Sequence, residues 1–297
     1  MKKSLIEAYI NKLVHAERSV NTIKMYESRL RKLDSWLIEK HSLSIDNQDN
    51  LRDVTGLMLE DWQMELQDNG MTPATLHTYV APVRAFFDWA HNATIIDRNP
   101  ALAMMLVKVQ RKEQVHLEWS QVERLMQAYR SRNEIRDMCI MGIGFTMGLR
   151  NSAICGLNIG DLNGNTLSYT NKGGARLTAY IPDFVLKMLN TYISESRKDA
   201  KPDEPLFINR LKRRITRADI LNMMRRAGEF IGVPNLTAHA MRRSCLTRVQ
   251  ELNSIDMAQS IAAHQSSHTT ERYVYQSEDN MRKLYEGMNI LNFDGRD

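Results

Sequence analysis

Apolar positions recur at steps of three and four through most of the first hundred residues. Ile6, Ile10 and Leu13 share one side of a first segment, and Ile23, Tyr26, Leu30, Leu33 and Leu37 share one side of the next. This is the spacing of a helix with one buried stripe. Leu59, Trp62 and Leu66 continue the pattern behind Thr55, a residue able to cap a helix start, and Asn69-Gly70 ends that segment. Thr72-Pro73 opens another, with proline in the first turn where its missing N–H is tolerated, and Leu76, Val80, Val83, Phe87 and Ala90 form its stripe. Asn99-Pro100 stops helical structure shortly afterwards. The pattern predicts a compact helical domain over residues 1–106.

Residues 107–116, VKVQRKEQVH, are polar and lack helical periodicity, so they read as a linker. Ser120 and Glu123 have capping-box spacing and mark the start of a second domain, 117–297. An apolar helix follows over 133–147 and breaks at Gly148. Turn residues stand at Asn163-Gly164-Asn165 and at Asn171 to Gly174. Leu167 and Tyr169, then Leu177, Ala179 and Ile181, alternate with polar neighbours, which predicts a small antiparallel sheet. From Pro182 the chain reads as helical again with short breaks. The fold class expected is mainly α with a small antiparallel β-sheet: a helical domain followed by an α+β domain.

Composition narrows the class. No run of about 18 apolar residues is present, so no membrane-spanning helix is expected. The first residues start like a basic signal region, but Glu7, Asn11, Lys12 and His15 interrupt the apolar run, and an amphipathic helix fits better. Cys139, Cys155 and Cys245 are far apart and lack C-x-x-C spacing, which points to buried thiols, a reducing compartment and a cytoplasmic protein, and away from a zinc site. Net charge is +5, unevenly spread: residues 1–110 hold 13 Lys+Arg against 14 Asp+Glu, and residues 111–297 hold 27 against 21. Much of the excess lies in Arg210, Lys212, Arg213, Arg214, Arg217, Arg225 and Arg226, with Asp219 the only acid between them. Such a cluster suits phosphate neutralisation, and it equally suits a solvated helix face.

Four short segments could carry chemistry. Arg150 follows a Gly-Leu break between apolar helices, where a guanidinium needs an anion, either a ligand or a structural carboxylate. His239 and Arg242 stand three apart behind Thr237, a good helix cap; side by side near a helix start they make a natural phosphate site. His264 precedes Tyr273 by nine residues in HQSSHTTERY, with Tyr275 close behind. Lys172 sits at the tip of the predicted hairpin, either solvated or reaching into a nucleic-acid groove.

The order of these segments resembles the tyrosine recombinases, the lambda-integrase and Xer group, and the resemblance covers nearly the whole chain. TIKMYESRLRKLDSWL and TPATLHTYVAPVRAFFDWA look like the core-binding domain of that family, and HQSSHTTERYVY is the most specific match. The resemblance implies Arg150 as the first catalytic arginine, Lys172 as the hairpin lysine, His239 and Arg242 as the second box, His264 as the following histidine and Tyr273 as the nucleophile. There are departures. The acid usual three residues after the first arginine is Ala153, the usual Leu-Gly before the last histidine is Ala262-Ala263, and the histidine common after the second arginine is Arg243. No catalytic group is lost by them.

The resemblance implies a DNA phosphodiester transferred to a tyrosine oxygen and then to a new sugar oxygen, with no metal or other cofactor. Partners would be double-stranded DNA with inverted-repeat core sites, further copies of the chain in a tetramer, and accessory proteins. Arg210, Lys212, Arg213, Arg214, Arg217 and Arg243 are the candidate DNA contacts. No segment for accessory arm sites is evident, which favours a compact Xer-like enzyme or a mobile-element integrase. A type IB topoisomerase and a DNA-binding protein that kept the fold without the chemistry are the rival readings. The last amphipathic segment, with Met281, Leu284, Tyr285 and Met288, suits docking on a neighbouring protomer or on its own domain.

Overall fold

The computed structural model describes residues 4–105, 115–171, 174–252 and 278–288. The chain divides into two compact units, Met1–Lys112 and Glu113–Asp297, each with its own apolar core.

The first unit is helical: α1 (Leu5–His15), α2 (Val20–His41), the short α3 (Gln48–Leu51), α4 (Gly56–Asp68) and α5 (Pro73–Asn92). Hydroxyl caps set the starts. Ser4, Ser19, Thr55 and Thr72 accept from the N–H of Glu7, Thr22, Met58 and Thr75 respectively, three residues on. The stripes expected on α4 and α5 are buried, as are Leu30, Leu33 and Leu37, while Ile10, Leu13 and Tyr26 pack at the core's edge. Tyr9 holds α1 against α5, with its ring 5.5 Å from Phe86 and 5.2 Å from Trp89. Helix α5 ends at Asn92, short of Asn99-Pro100. Asn99 instead caps a single 3-10 turn, Pro100–Leu102, its Oδ1 accepting from the Ala101 N–H at 2.9 Å. Most of the expected linker lies outside the described residues.

The second unit begins differently from the sequence expectation. Helix α6 (Trp119–Ser131) is capped at Glu118, whose N–H donates to Gln121 Oε1 at 2.9 Å, and Ser120 falls inside the first turn. The reason is the buried residue just before. Leu117 is 2% exposed and its N–H donates to the Ser244 hydroxyl at 2.7 Å, which fixes where the chain can enter the helix.

Helix α7 (Ile135–Gly142) widens into a π-helical turn, Ile143–Met147, and ends at Gly148, whose φ of +62° is the left-handed conformation that favours glycine. Helix α8 (Asn151–Gly156) follows. Strands β1 (Leu162–Asn163), β2 (Thr166–Thr170) and β3 (Arg176–Tyr180) form an antiparallel sheet in that order, with Tyr169 opposite Leu177 and Thr170 opposite Arg176. Leu167, Tyr169 and Ile181 point into the core.

Helix α9 (Asp183–Ser196) is followed by twenty residues without helix, a second departure from expectation. Two isolated bridges, Asn158 to Pro205 and Ile208 to Arg214, satisfy part of this backbone. Helix α10 (Arg217–Ile231) starts at a reciprocal Thr216–Asp219 cap, and α11 (Ala238–Glu251) and α12 (Glu278–Glu286) complete the described elements. Leu284, Tyr285 and Met288 are buried with Cys245 and Val249 of α11, and Arg248 Nη2 donates to the Gly287 carbonyl at 3.1 Å. In the single chain this amphipathic segment packs on its own domain. Cys139, Cys155 and Cys245 are free thiols, the first and last buried.

Candidate active site

Arg150 stands at the N-cap position of α8, two residues beyond the left-handed Gly148. Between them Leu149 is 2% exposed, so the turn is anchored in the core and the arginine leaves it in a fixed direction. Helix α11 packs against the π-helical turn, and the approach is close. A Cβ on Gly144 would lie 2.6 Å from Met241 Sδ and 3.1 Å from Met241 Cβ. This contact brings the next residue of α11, Arg242, to the same turn, where Nη1 donates to the Gly148 carbonyl.

His239 lies one turn earlier on α11. Burial holds its pKa below the ordinary value, and the positive charges of Arg243, Arg150 and Arg242 lower it further. Arg242 is depressed chiefly by burial and then by Arg150, and Arg150 by burial. Both guanidiniums nevertheless stay charged at neutral pH. Nη1 of Arg150 is buried and has no hydrogen-bond partner among the described residues. Arg150, His239 and Arg242, separated by up to 92 positions in the sequence, therefore form one electropositive site. A buried cationic pair is costly, and an oxyanion is the group that would relieve it.

Thr237 occupies the N-cap position of α11, but its side chain makes no capping hydrogen bond. The expected hydroxyl cap is absent there, and the Ala240 N–H bonds the Thr237 carbonyl at 2.9 Å instead. Lys172, His264, Tyr273 and Tyr275 lie outside the described residues.

The basic cluster divides. Arg210, Lys212 and Arg213 are exposed at the tip of a tight turn closed by the Asn209 N–H bonding the Arg213 carbonyl at 2.8 Å, and Arg217 is exposed in the first turn of α10. Arg214 does not belong with them. Its Nη1 donates to the carbonyls of Cys155 (3.1 Å) and Leu157 (3.0 Å), and its Nη2 to Asn158 Oδ1 at 2.6 Å. Cys155 and Leu157 stand at the end of α8, and the Leu157 carbonyl also accepts from the Leu206 N–H at 2.9 Å, so this arginine helps close the helix that Arg150 begins. Arg226 bonds the buried Asp137 at 3.3 Å, a carboxylate also held by Arg136. Arg243 spends one donor on the Val115 carbonyl at 2.9 Å. Sequence spacing could not separate these roles, because it does not show which backbone carbonyls and carboxylates the folded chain brings to each arginine.

One neighbour of the site has no functional signal in the sequence. Tyr169 on β2 is 7% exposed, and its phenol interacts electrostatically with Arg242 and Arg150. Alternation alone marks it as a core residue. Among the described residues, no three His, Cys, Asp or Glu side chains gather to hold a metal ion, and no helix is long and apolar enough to cross a membrane.

Comparison with known proteins agrees with this geometry. Residues 116–280 match the phage integrase family and residues 6–94 the phage integrase N-terminal SAM-like domain. The first match spans more than half of the chain, and the chain belongs to the phage integrase family, the tyrosine recombinases. Tyrosine recombinase XerD of Oceanobacillus iheyensis is 23% identical over 278 residues, covering 90% of this chain and 92% of that protein. XerD of Staphylococcus haemolyticus is 24% identical over 297 residues, covering 95% and 97%. Two solved structures share the fold: a lambda integrase dimer on a COC′ core site (TM-score 0.67, 15% identity, 92% of this chain and 97% of that one) and the Tn1549 transposon integrase with circular intermediate DNA (TM-score 0.67, 20% identity, 95% and 98%).

Proposed function

We propose that this recombinase cuts and rejoins DNA at a specific site through a 3′-phosphotyrosyl bond to Tyr273. It would act as a homo-tetramer on inverted-repeat core sites, in integration, excision or resolution. The observation that carries this reading is the pairing of Arg150 with Arg242 at the Gly148 turn, next to His239.

The chemistry follows from charge. A tyrosine has a pKa near 10, so about one in a thousand is ionised at pH 7, a deficit of roughly 4 kcal/mol that the site must offset. As the phenolic oxygen attacks, negative charge grows on the two non-bridging phosphate oxygens. Two guanidinium forks facing those oxygens bind them more tightly in the transition state than in the ground state. A histidine whose pKa is lowered by burial and then by its cationic neighbours can accept the phenol proton. In this reading His264 adds a hydrogen bond to the phosphate, and Lys172 protonates the departing 5′-oxygen. Arg210, Lys212, Arg213 and Arg217 are the proposed phosphate contacts away from the reacting centre; Arg243 keeps donors to spare for the same task.

The test works without a defined target sequence. Nicked duplexes of randomised sequence are incubated with the protein, denatured, and searched for protein-linked DNA. The wild type and Tyr275→Phe should yield a covalent band that Tyr273→Phe lacks. A wild type that captures nothing, or a Tyr273→Phe variant that captures as well as wild type, would overturn the assignment.

A further inference from the structure

From Gly164 to Pro182, a stretch that includes β2, β3 and the segment joining them, the sequence holds two cations, Lys172 and Arg176, and no acid. Arg176 opens β3 and pairs with Thr170 across the sheet. Alternation puts it on the outward face with Thr178, opposite Thr170 and Ser168. The hydroxyls of Ser168 and Thr178 share a hydrogen bond of 3.0 Å on that face. Hydroxyls and a guanidinium without an acid beside them are a donor set that phosphate oxygens accept from.

That guanidinium is anchored on one side. Its Nη2 donates to Oδ1 of Asp161, whose side chain is 6% exposed while that of the arginine is 56% exposed. The other oxygen of Asp161 accepts from the Asn158 N–H at 2.8 Å, and Asn158 Oδ1 accepts from Arg214 Nη2 at 2.6 Å. Arg214 directly follows Arg210, Lys212 and Arg213 in the chain. A line of bonds through Arg214, Asn158, Asp161 and Arg176 thus joins the base of the basic turn to the base of the hairpin. A buried carboxylate needs its cation, which keeps one edge of Arg176 at Asp161. Nε and Nη1 of Arg176 make no bond among the described residues. A free surface arginine must give up rotamers to hold a ligand, and here the anchor has already restricted them.

We infer that Arg176 is a phosphate contact for duplex DNA on the outward face of the sheet, and that Asp161 is the positioning residue that aims it. The inference rests on the reading of this chain as a DNA-binding protein, and it does not need Tyr273 to be the nucleophile.

The experiment follows the affinity of the full chain for a fluorescent duplex of randomised sequence across a salt series. Arg176→Ala should bind on the order of tenfold more weakly at low salt and lower the slope of log affinity against log salt by about 0.9. Asp161→Asn separates aim from charge. Removing a negative charge should by itself tighten binding to DNA, whereas losing the aim should weaken it by about threefold. In the Arg176→Ala background the same substitution should no longer weaken binding, because it acts through that arginine. Arg176→Lys serves if Asp161→Asn does not fold. It keeps the charge at an exposed position, lacks the fork, and should also bind about threefold more weakly. An Arg176→Ala slope equal to that of wild type overturns the contact. Asp161→Asn, or in its place Arg176→Lys, binding as tightly as wild type overturns the aiming role, as does a weakening by Asp161→Asn that persists without Arg176. A wild type that captures no DNA covalently, while Arg176→Ala still loses slope, ends the Tyr273 assignment and leaves this contact standing.

Discussion

The guanidinium of Arg242 bonds the carbonyl of Gly148, 94 residues earlier in the chain and two before Arg150. One hydrogen bond thus fixes the position of one arginine relative to the other. Arg242→Lys keeps the charge but loses the planar fork, so it can hold the carbonyl or the phosphate, not both. Strand cleavage on a captured duplex should fall on the order of 10²–10³-fold, with duplex affinity nearly unchanged. A lysine variant that cleaves at the wild-type rate would refute the clamp.

Gly144 lets α11 approach the π-helical turn. In Gly144→Ala the new methyl meets Met241 Cβ as well as the more adaptable thioether, so the helix must move outward. Denaturant unfolding should show a loss of about 1–3 kcal/mol. Cleavage should fall further than stability explains, because α11 carries both His239 and Arg242. The pair Gly144→Ala with Met241→Ala should recover part of both.

Arg214 and its basic neighbours should separate in two assays. Arg214→Ala loses three hydrogen bonds at the end of α8 and should cost about 2 kcal/mol of stability. Arg210→Ala, Lys212→Ala, Arg213→Ala and Arg217→Ala should leave unfolding unchanged. Each should instead lower the slope of log affinity against log salt on DNA by about 0.9. A slope that stays constant for all four would remove the turn from the DNA-binding surface.

The depressed pKa of His239 sets a sign for pH dependence. Its folded value lies below its unfolded one, so the unfolded chain takes up the proton first as pH falls. Wild type should lose stability as pH drops below about 6.5, down to the folded pKa, relative to His239→Gln. Saturating inorganic phosphate should shrink that difference. Parallel stability curves for the two proteins would show that neither burial nor the surrounding cations depress this histidine.

Much of this architecture is written in local pattern. The stripe from Leu59 to Leu66, the Thr72-Pro73 start and the alternation around Tyr169 each follow from periods of 3.6 and 2, and each formed as expected. The errors share a cause. Helix α6 is capped at Glu118 because Leu117 bonds Ser244, 127 residues away, and Arg214 turns inward to the carbonyls of Cys155 and Leu157 at the end of α8. Neither partner is near in sequence. The order of Arg150, His239 and Arg242 points to the family, but the Gly148 carbonyl and the Tyr169 phenol beside them have no spacing signature.

The contact of α12 with α11 also sets a length limit. Tyr273 stands five residues before the first residue of α12, and a chain of five residues spans at most about 17 Å. While Leu284, Tyr285 and Met288 stay seated beside Val249, the Tyr273 oxygen proposed to attack could reach no further than that radius from Glu278, plus the length of its own side chain. If Tyr273 is the nucleophile, as proposed, a phosphodiester beyond that radius is out of range until the short helix lets go, and the seating of three apolar side chains would set how far from its own domain the phenol can act.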